Sequence, residues 1–386
     1  ARLGLDWQAA RARAIAAITA IAPNDSAARY EGIGCTVIAG TARLLSDREI
    51  DVGGRIVRAR RIVIATGSRA IVPEFCAGLG YYTNETIWGM TALPARLCIL
   101  GAGPMGCEMA EAFANLGVEV TLIGRMLPRE AADLVAPVAD SLRARGVVHV
   151  AARAVAGRAG PDGGVVLTLA DGRNCAGALL LATGRQVETG WLGLKLAGGP
   201  EGIRTDTGLR VLGQRRIFAA GDCADPVGIG PQRLTHVAAS HAGLLVRRLA
   251  FRLPARLSAV PPVRVVYTAP ALAQIGPVDG ARVLVRRFTE NDRAIAEGDM
   301  TGLVRLVLDA RGRLIGAGIT APHAGEMIGM YALAIARKIP LRVLAGLVLP
   351  YPTRSEAGRQ MLGAYFAERL FGPGPRKIVG LLNRLP

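Results

Sequence analysis

The sequence predicts a mixed α/β protein that begins with parallel sheets and ends in a smaller α+β domain. Three observations support this assignment. A strand–helix–strand pattern occupies Leu97–Arg125, and an apolar strand that closes in Ala-Thr-Gly lies on each side of it, at Ala65–Gly67 and Ala182–Gly184. After the proline-bearing linker Pro254–Pro262, the pattern changes to alternating strands followed by helices, which is typical of an α+β domain.

The central pattern contains a glycine-rich turn between a strand and a helix. Leu97–Leu100 is a short apolar run of strand length, Cys107–Leu116 has apolar residues at helical spacing, and Glu119–Ile123 reads as a second strand. Between the first strand and the helix lies Gly101-Ala-Gly-Pro-Met-Gly106. A Gly-x-Gly-x-x-Gly turn in this setting predicts dinucleotide binding, whereas the same motif alone is weak in a chain with 49 glycines.

Each position of the turn has a physical role in holding a pyrophosphate. Gly101 permits the sharp turn, Gly103 lets the backbone approach the phosphates, and Gly106 lets the helix pack closely against the strand. Met105 lies at the start of the helix, where free N–H groups attract phosphate. These four residues are therefore predicted to bind the cofactor.

The residues after the second strand predict which cofactor binds. NAD enzymes usually place a carboxylate here, whereas NADP enzymes favour an arginine. This chain has Arg125, with Arg129 close behind it and no carboxylate before Glu130. The pattern favours NADPH over NADH, with the alternative that Arg125 is one of many surface arginines.

Composition limits the classes of partner. The 386 residues suffice for two or three domains, and no apolar run is long enough to span a bilayer. The formal net charge of +17 comes almost entirely from arginines, which are scattered along the sequence without a dense basic block. We therefore expect neither a nucleic-acid nor a membrane partner.

The cysteines indicate a reduced compartment. None of the six forms a CxxC, CxxxxC or zinc-type cluster. This usage predicts a cytoplasmic protein without a metal site.

Around the central pattern, the sequence predicts further elements. Helices are expected at Asp6–Ile21, Ala131–Arg145, Thr235 to about Phe251, Gly325–Arg337, and from Glu356 to about Phe371. Strands are expected at Cys35–Ile38, Ala42–Leu45, Ile56–Val57, Arg61–Ala65, Val147–Val150, Val165–Leu169, Ala178–Leu181, Arg216–Ala220, Val263–Thr268, Arg282–Phe288, Leu303–Leu308 and Leu314–Ile319.

Asp222 directly follows a buried strand, at the end where open α/β sheets bind ligands, and its carboxylate suits sugar or ribityl hydroxyls. Thr235 is a candidate N-cap of the next helix.

The motifs together resemble the flavin-dependent pyridine nucleotide–disulfide oxidoreductases, which include dihydrolipoyl dehydrogenase, glutathione reductase and mercuric reductase. The resemblance runs in order from about Tyr30 to the C-terminus. It rests on ATGS at 65–68, LPARLCILGAGPMGCE at 93–108, ATGR at 182–185, IFAAGD at 217–222, THVA at 235–238 and YPTRSE at 351–356.

This resemblance implies two Rossmann-like domains, for FAD and NAD(P)H, and a C-terminal α+β dimerisation domain. The implied segments are 1–93 and 188–256 for FAD, 94–187 for NAD(P)H and 257–386 for dimerisation of a homodimer. The FAD contacts that it implies are Thr66, Gly67, Asp222, Thr235 and His236. Gly184 would lie against the nicotinamide nucleotide, and Glu108 resembles the glutamate that sits beside the nicotinamide and pairs with a flavin-side lysine. The alternative for Glu108 is a first-turn acid that complements the helix dipole.

Two departures from the family pattern affect the expected activity. The family's own FAD-binding Gly-x-Gly-x-x-Gly, its CxxxxC disulfide and its lysine do not occur in this chain. Because the sequence begins at Ala1 within a helical pattern, we expect a fragment that binds FAD poorly and cannot relay electrons through a disulfide.

The second departure concerns the family's acid–base histidine. Tyr351 stands in its place, with Glu356 in the partner position, and the C-terminal cysteine pair of mercuric reductases is absent. An ordinary tyrosine pKa near 10 suits a donor or substrate contact better than a base. The resemblance implies hydride transfer from NADPH to FAD and on to a disulfide or metal-ion acceptor. The alternatives are an NAD(P)H oxidase or transhydrogenase, and a non-catalytic NADPH-binding dimeric fragment.

Overall fold

The computed structural model describes residues 6–160 and 163–384. These residues form two compact units, each built from separate stretches of the chain. Unit 1 comprises Ala1–Leu100, Leu116–Val118 and Ala154–Ala259, and unit 2 comprises Gly101–Asn115, Glu119–Arg153 and Val260–Pro386. The chain passes from unit 1 to unit 2 for the last time within the linker predicted at 254–262.

The helices of the described residues are, in chain order, α1 (Trp7–Ile21), α2 (Ala27–Gly32), α3 (Pro104–Asn115), α4 (Ala132–Ala144), α5 (Thr235–Leu249), α6 (Asp292–Ala296), α7 (Ala324–Met327), α8 (Gly329–Arg337), α9 (Leu341–Ala345), α10 (Glu356–Leu370) and α11 (Pro373–Leu382). Within residues 6–160 and 163–384, no helix is both long and apolar enough to cross a membrane.

The strands are β1 (Ala42–Leu44), β2 (Glu49–Val52), β3 (Arg55–Arg58), β4 (Ile62–Ile64), β5 (Arg69–Ala70), β6 (Arg96–Leu100), β7 (Glu119–Ile123), β8 (Val148–Val150), β9 (Ala154–Ala159), β10 (Val165–Leu169), β11 (Asn174–Leu181), β12 (Arg185–Gln186), β13 (Gly198–Gly199), β14 (Gly202–Thr205), β15 (Ile217–Ala219), β16 (Ala224–Pro226), β17 (Arg264–Val266), β18 (Ala271–Ile275), β19 (Arg282–Arg287), β20 (Leu303–Leu308) and β21 (Leu314–Ala321).

In unit 1, two parallel strand pairs carry the predicted nucleotide-binding turns. β4 pairs with β15 in the register Ile62↔Ile217, and β6 pairs with β11, which continues antiparallel through β10 to β9. A buried cluster that includes Ile64, Phe218 and Leu244 covers the first pair. Because parallel strands end at the same edge, the turns after β4 and β15 emerge side by side.

In unit 2, β7 and β8 pair in parallel, and five antiparallel strands run in the order β17-β18-β21-β20-β19. The helices near the C-terminus pack on this sheet through a core that contains Phe288, Tyr331 and Leu362. The alternating pattern of the last third therefore forms the predicted α+β domain.

Several predicted elements are confirmed and others are wrong. β7, β10 and β20 have the predicted bounds, whereas Cys35–Ile38 forms no strand. The helix predicted at 325–337 is divided into α7 and α8 at Ile328, and β18 was missed although it lies inside the sheet. This segment forms a strand because β17 and β21 supply hydrogen bonds on both sides.

Candidate functional site

The glycine-rich turn of unit 2 has the geometry that the sequence predicts. Gly101 adopts a positive φ of 112°, and its N–H donates to the carbonyl of Ile123 at 2.8 Å. A Cβ placed on Gly106 would lie 1.9 Å from the carbonyl oxygen of Gly101. The third glycine is therefore required by the turn itself, because any side chain there would overlap backbone atoms.

Gly103 differs, because a Cβ at this position would meet no atom of the described residues within 4 Å, apart from its own chain neighbours. Packing within the chain does not require glycine here, and the space in front of the residue is open to a ligand. α3 begins at Pro104, three residues before the predicted start, since proline is favoured as the first residue of a helix. The next N–H groups, including that of Met105, belong to the first turn, where backbone donors lack intrahelical acceptors.

The end of β7 presents arginine rather than a carboxylate. Gly124 follows the strand with a positive φ of 124°, and its carbonyl lies 2.8 Å from Nε2 of His149. Arg125 is exposed and makes no hydrogen bond or ion pair with any described residue. The Glu130 side chain is only 3% exposed and is held by Arg264 at 3.1 Å. The nearest carboxylate in sequence is thus already used by another cation.

Two glutamates on one side of α3 bind backbone N–H groups of the segment after β17. Oε1 of Glu108 accepts from Tyr267 at 2.9 Å, and Oε2 of Glu111 accepts from Ala269 at 2.9 Å. Burial raises the pKa of Glu108, and the Tyr267 N–H opposes that rise. Because α3 begins at Pro104, Glu108 lies beyond the first turn, so the dipole explanation for this residue is wrong.

In unit 1, the turns after β4, β11 and β15 are joined by a polar network. Ser68 donates its hydroxyl to Oδ2 of Asp222 at 2.7 Å, and Nε of Arg185 donates to the same hydroxyl at 2.7 Å. Arg185 also donates to the carbonyl of Ser68 and to Oδ1 of Asn84, the latter at 2.9 Å. Its guanidinium lies 3.8 Å from the Asp222 carboxylate.

This network positions Asp222, and the sequence analysis assigned no role to Ser68 or Arg185. Ser68 and Arg185 are the last residues of the motifs ATGS and ATGR, and each motif follows a predicted strand. This matching position could have predicted that the two side chains lie near the same site. The two turns are also joined through Ile71, whose N–H donates to the Gly184 carbonyl at 3.0 Å.

A buried histidine holds the turn that carries Asp222. The N–H of Gly221 donates to Nδ1 of His241 at 3.2 Å, and His241 is only 2% exposed. Burial lowers the pKa of His241, so the imidazole stays neutral and Nδ1 keeps the lone pair that accepts this bond. The sequence analysis did not identify this residue.

The remaining predicted flavin contacts lie on the surface of unit 1. Thr66 is exposed, and Gly67 has a positive φ of 67°. Thr235 and His236 are exposed in the first turn of α5. The N-cap of α5 is Leu234, which has an extended backbone and no side-chain bond, so the prediction of Thr235 as N-cap is wrong.

Tyr351 is 70% exposed in unit 2, and its hydroxyl donates to Oδ2 of Asp292 at 3.0 Å. This bond raises the pKa of Tyr351, which makes the hydroxyl a still weaker base. Glu356, the predicted partner, is buried at the start of α10, and its carboxylate accepts from Arg359 at 3.3 Å. The acid that orients the hydroxyl is therefore Asp292 rather than Glu356.

The loop that carries Tyr351 is held by buried polar side chains. Nδ2 of Asn291 donates to the carbonyl of Thr353 at 3.0 Å, and Arg354 donates to Glu297 at 2.8 Å. Arg354 also lies 5.5 Å from the ring centroid of Phe288. These contacts fix the backbone that follows the exposed tyrosine, at Thr353 and Arg354.

The predicted residues thus belong to both units. Unit 1 contains the polar network at Asp222, and unit 2 contains both the glycine-rich turn and Tyr351. Within the described part of the chain, all six cysteines are free, and no group of three or more His, Cys, Asp or Glu side chains could hold a metal ion.

Family models cover both parts of the chain. Residues 10–242 match the pyridine nucleotide-disulphide oxidoreductase family, and residues 262–362 match the dimerisation domain of the same family. The chain belongs to the pyridine nucleotide-disulphide oxidoreductase family. This result confirms the resemblance drawn from the motifs and the predicted fold class.

Similar proteins include a mercuric reductase of Shigella flexneri, which is 35% identical over 361 residues, or 85% of this chain and 63% of that protein. A dihydrolipoyl dehydrogenase of Thermus scotoductus is 30% identical over 83% of this chain and 73% of its own length. The chain thus spans less than two thirds of the Shigella protein.

Solved structures agree on the fold. LpdA from Mycobacterium tuberculosis has a TM-score of 0.80 and 27% identity, over 92% of this chain and 82% of its own. A Cu(II) complex of the flavoprotein disulfide reductase RclA from Escherichia coli has a TM-score of 0.82 over 92% of this chain and 86% of its own. At 23% identity, the second likeness concerns the fold alone.

Proposed function

We propose that this chain is the nucleotide-binding and dimer-forming part of a flavin-dependent NAD(P)H oxidoreductase that passes electrons to a disulfide or metal-ion acceptor. The observation that supports this most directly is the glycine-rich turn. Gly106 is required by the turn, whereas Gly103 faces open space that a phosphate could occupy. A turn that only connected strand to helix would need the first property and not the second.

The residues present fit a bound NADPH. The first-turn N–H groups of α3 would hold the pyrophosphate, since the positive end of the helix dipole faces the anion. Arg125 would contact the 2′-phosphate, for which its guanidinium is free of partners among the described residues. Glu130 does not compete for the ribose because Arg264 holds it.

The residues present fit part of a bound FAD. Asp222 would contact the ribityl hydroxyls, held in place by Ser68 and Arg185, while Thr66 and Gly67 would line the same side. Oδ1 of Asp222 accepts no hydrogen bond from the described residues, which leaves it available to a hydroxyl. When bound, FAD supplies the group that accepts a hydride from the nicotinamide.

Tyr351 would contact the electron acceptor as a neutral donor. Its hydroxyl is exposed, and the Asp292 carboxylate keeps the proton on the oxygen. The alternative role, proton abstraction from a thiol, would need a lowered pKa instead. We place this residue in a homodimer because the dimerisation-domain match covers it.

The test is NADPH affinity measured by calorimetry for Gly103→Val. Because this change places a branched side chain where phosphate would lie, affinity should fall at least about tenfold while thermal unfolding stays unchanged. Gly329→Val is the matched control, since Gly329 also lies at a helix start in unit 2. A Cβ placed on Gly329 would likewise meet no atom of the described residues within 4 Å. Equal affinity for both variants would refute the nucleotide site.

The flavin part of the proposal has a separate test. Because these residues fit only part of FAD, FAD is kept in excess, and the purified chain should speed the bleaching of flavin absorbance by NADPH under anaerobic conditions. NADPH binding without faster bleaching would overturn the oxidoreductase assignment for these residues and leave a nucleotide-binding module.

A further inference from the structure

Arginines that are far apart in the sequence meet on one surface of unit 1. Arg61 directly precedes β4, and Arg216 directly precedes β15. Because these strands pair in parallel, their starts lie at the same edge, where the N–H of Ile62 donates to the Arg216 carbonyl at 3.0 Å. The arginine surface consists of these residues, their neighbours, and arginines in and after the last turn of α5: Arg60, Arg61, Arg215, Arg216, Arg248, Arg252 and Arg256.

The arginine surface contains two adjoining grooves. One, of about 500 Å³, is lined by four of the arginines together with Leu253, Pro254 and Ala255. The other, of about 380 Å³, is lined by five arginines and by no other residue that the structure describes. Both grooves share Arg61 and Arg252, so one elongated ligand could lie along them.

Few carboxylates neutralise this charge. Arg216 lies 3.5 Å from Asp47, and Arg248 lies 3.8 Å from Asp206. The exposed arginines 60, 215, 252 and 256 form no hydrogen bond or ion pair with any described residue. Among residues 6–160 and 163–384, no Asp or Glu lines either groove. Like charges gathered without counterions repel one another, and a bound anion removes that repulsion.

The side chains that line the grooves indicate which anion would bind. A guanidinium offers only donors, in a fork that matches phosphate. No aromatic ring of the described residues lines either groove to stack a base. A peptide would also need acceptors for its N–H groups, and the described lining of the smaller groove offers no side-chain acceptor. A ligand composed only of acceptors, with several linked phosphates, suits both grooves.

We propose that the arginine surface binds a chain of linked phosphates, which inorganic polyphosphate or the triphosphate of a nucleotide could supply. This site is separate in chemistry from the glycine-rich turn of unit 2, which uses backbone N–H groups. Binding here would respond to the number of linked phosphates, because each additional phosphate can engage a further guanidinium.

The experiment measures binding of tripolyphosphate to the full chain by calorimetry at fixed ionic strength, with orthophosphate as the single-phosphate comparison. The chain should bind tripolyphosphate at least about tenfold more tightly than orthophosphate. The test variant is Arg60→Ser/Arg215→Ser/Arg252→Ser, which removes three exposed and unpaired arginines. It should lose at least about tenfold in tripolyphosphate affinity.

The control variant is Arg55→Ser/Arg158→Ser/Arg337→Ser. It removes the same net charge from exposed arginines whose side chains make no hydrogen bond or ion pair with a described residue and line neither groove. This control should keep tripolyphosphate affinity, and both triple variants should keep NADPH affinity. If the test variant misfolds, Arg252→Gly alone replaces it. Arg252 lines both grooves and has a positive φ of 60°, which glycine adopts freely, so this variant should fold and should bind tripolyphosphate more weakly.

ATP and AMP distinguish the two sources of phosphate. Tighter binding of ATP than of tripolyphosphate indicates a nucleotide, and the reverse indicates inorganic polyphosphate; both support the site, provided AMP binds weakly. Equal losses in the two triple variants would reduce the effect to net charge and overturn the proposal. Tighter binding of a single-stranded oligonucleotide, lost in the test variant, would overturn it in favour of nucleic acid.

Discussion

Gly106→Ala tests whether the glycine-rich turn depends on close packing. The added Cβ would lie 1.9 Å from the Gly101 carbonyl oxygen and 3.0 Å from its carbonyl carbon. Alanine in a helix is favoured over glycine by about 1 kcal/mol, but an overpacked site costs about 1–3 kcal/mol or more. Since the overlap is with backbone rather than a movable side chain, we expect the upper end of that cost and a net destabilisation of roughly 2 kcal/mol.

The assay is thermal unfolding, and the matched control is Gly363→Ala. Gly363 lies in α10, where a Cβ would meet nothing within 4 Å, so alanine should raise the unfolding temperature. The two glycine-to-alanine changes therefore have opposite expected signs. An unfolding temperature for Gly106→Ala equal to or above that of the unmodified chain would refute the close-packing argument.

Three further predictions concern the polar residues. Arg125→Glu should weaken NADPH binding by about tenfold or more and NADH binding much less. The control Arg153→Glu, at another exposed arginine, should change neither affinity, and equal losses for both cofactors in Arg125→Glu would contradict the 2′-phosphate assignment. Ser68→Ala removes the hydroxyl bound to Asp222 and should lower the free energy of unfolding by about 1–3 kcal/mol, which denaturant titration would detect; no change would mean that the hydroxyl does not hold the carboxylate. Burial lowers the pKa of His241, so the contribution of this residue to stability is complete above its ordinary pKa and is lost as pH falls through the lowered value. The unfolding temperature should therefore fall less between pH 8 and pH 5 in His241→Gln than in the unmodified chain.

The sequence predicted those parts of the fold that depend on local signals. β7 and β10 have strand-like composition and are followed by glycine turns, so neighbouring residues define their bounds. β18 has no such signal, and its position between two strands depends on residues far away in the chain. Cys35–Ile38 has a strand-like local signal but forms no strand, because no neighbouring strand of the described residues pairs with it.

The candidate site divides in the same way. The glycine-rich turn is contiguous in sequence, so neighbouring residues were enough to predict it. The Ser68–Asp222 bond joins residues 154 positions apart, so only the pairing of β4 with β15 reveals it. The same pairing brings arginines that are scattered in the sequence together on one basic surface. A chain without a basic block in its sequence can therefore still form a surface that suits an anion.

Glu108 depends both on a local sequence signal and on a contact between distant residues. Its place after the glycine-rich turn was visible in the sequence, but its bond to Tyr267 depends on α3 packing beside β17. That bond occupies Oε1 and leaves the second carboxylate oxygen for another donor. Burial raises the pKa of Glu108, and the Tyr267 N–H favours its charged form, so a cation at Oε2 would stabilise that form further. The bond to Tyr267 and a cation beside Oε2 are therefore compatible, because they use different oxygens of one carboxylate.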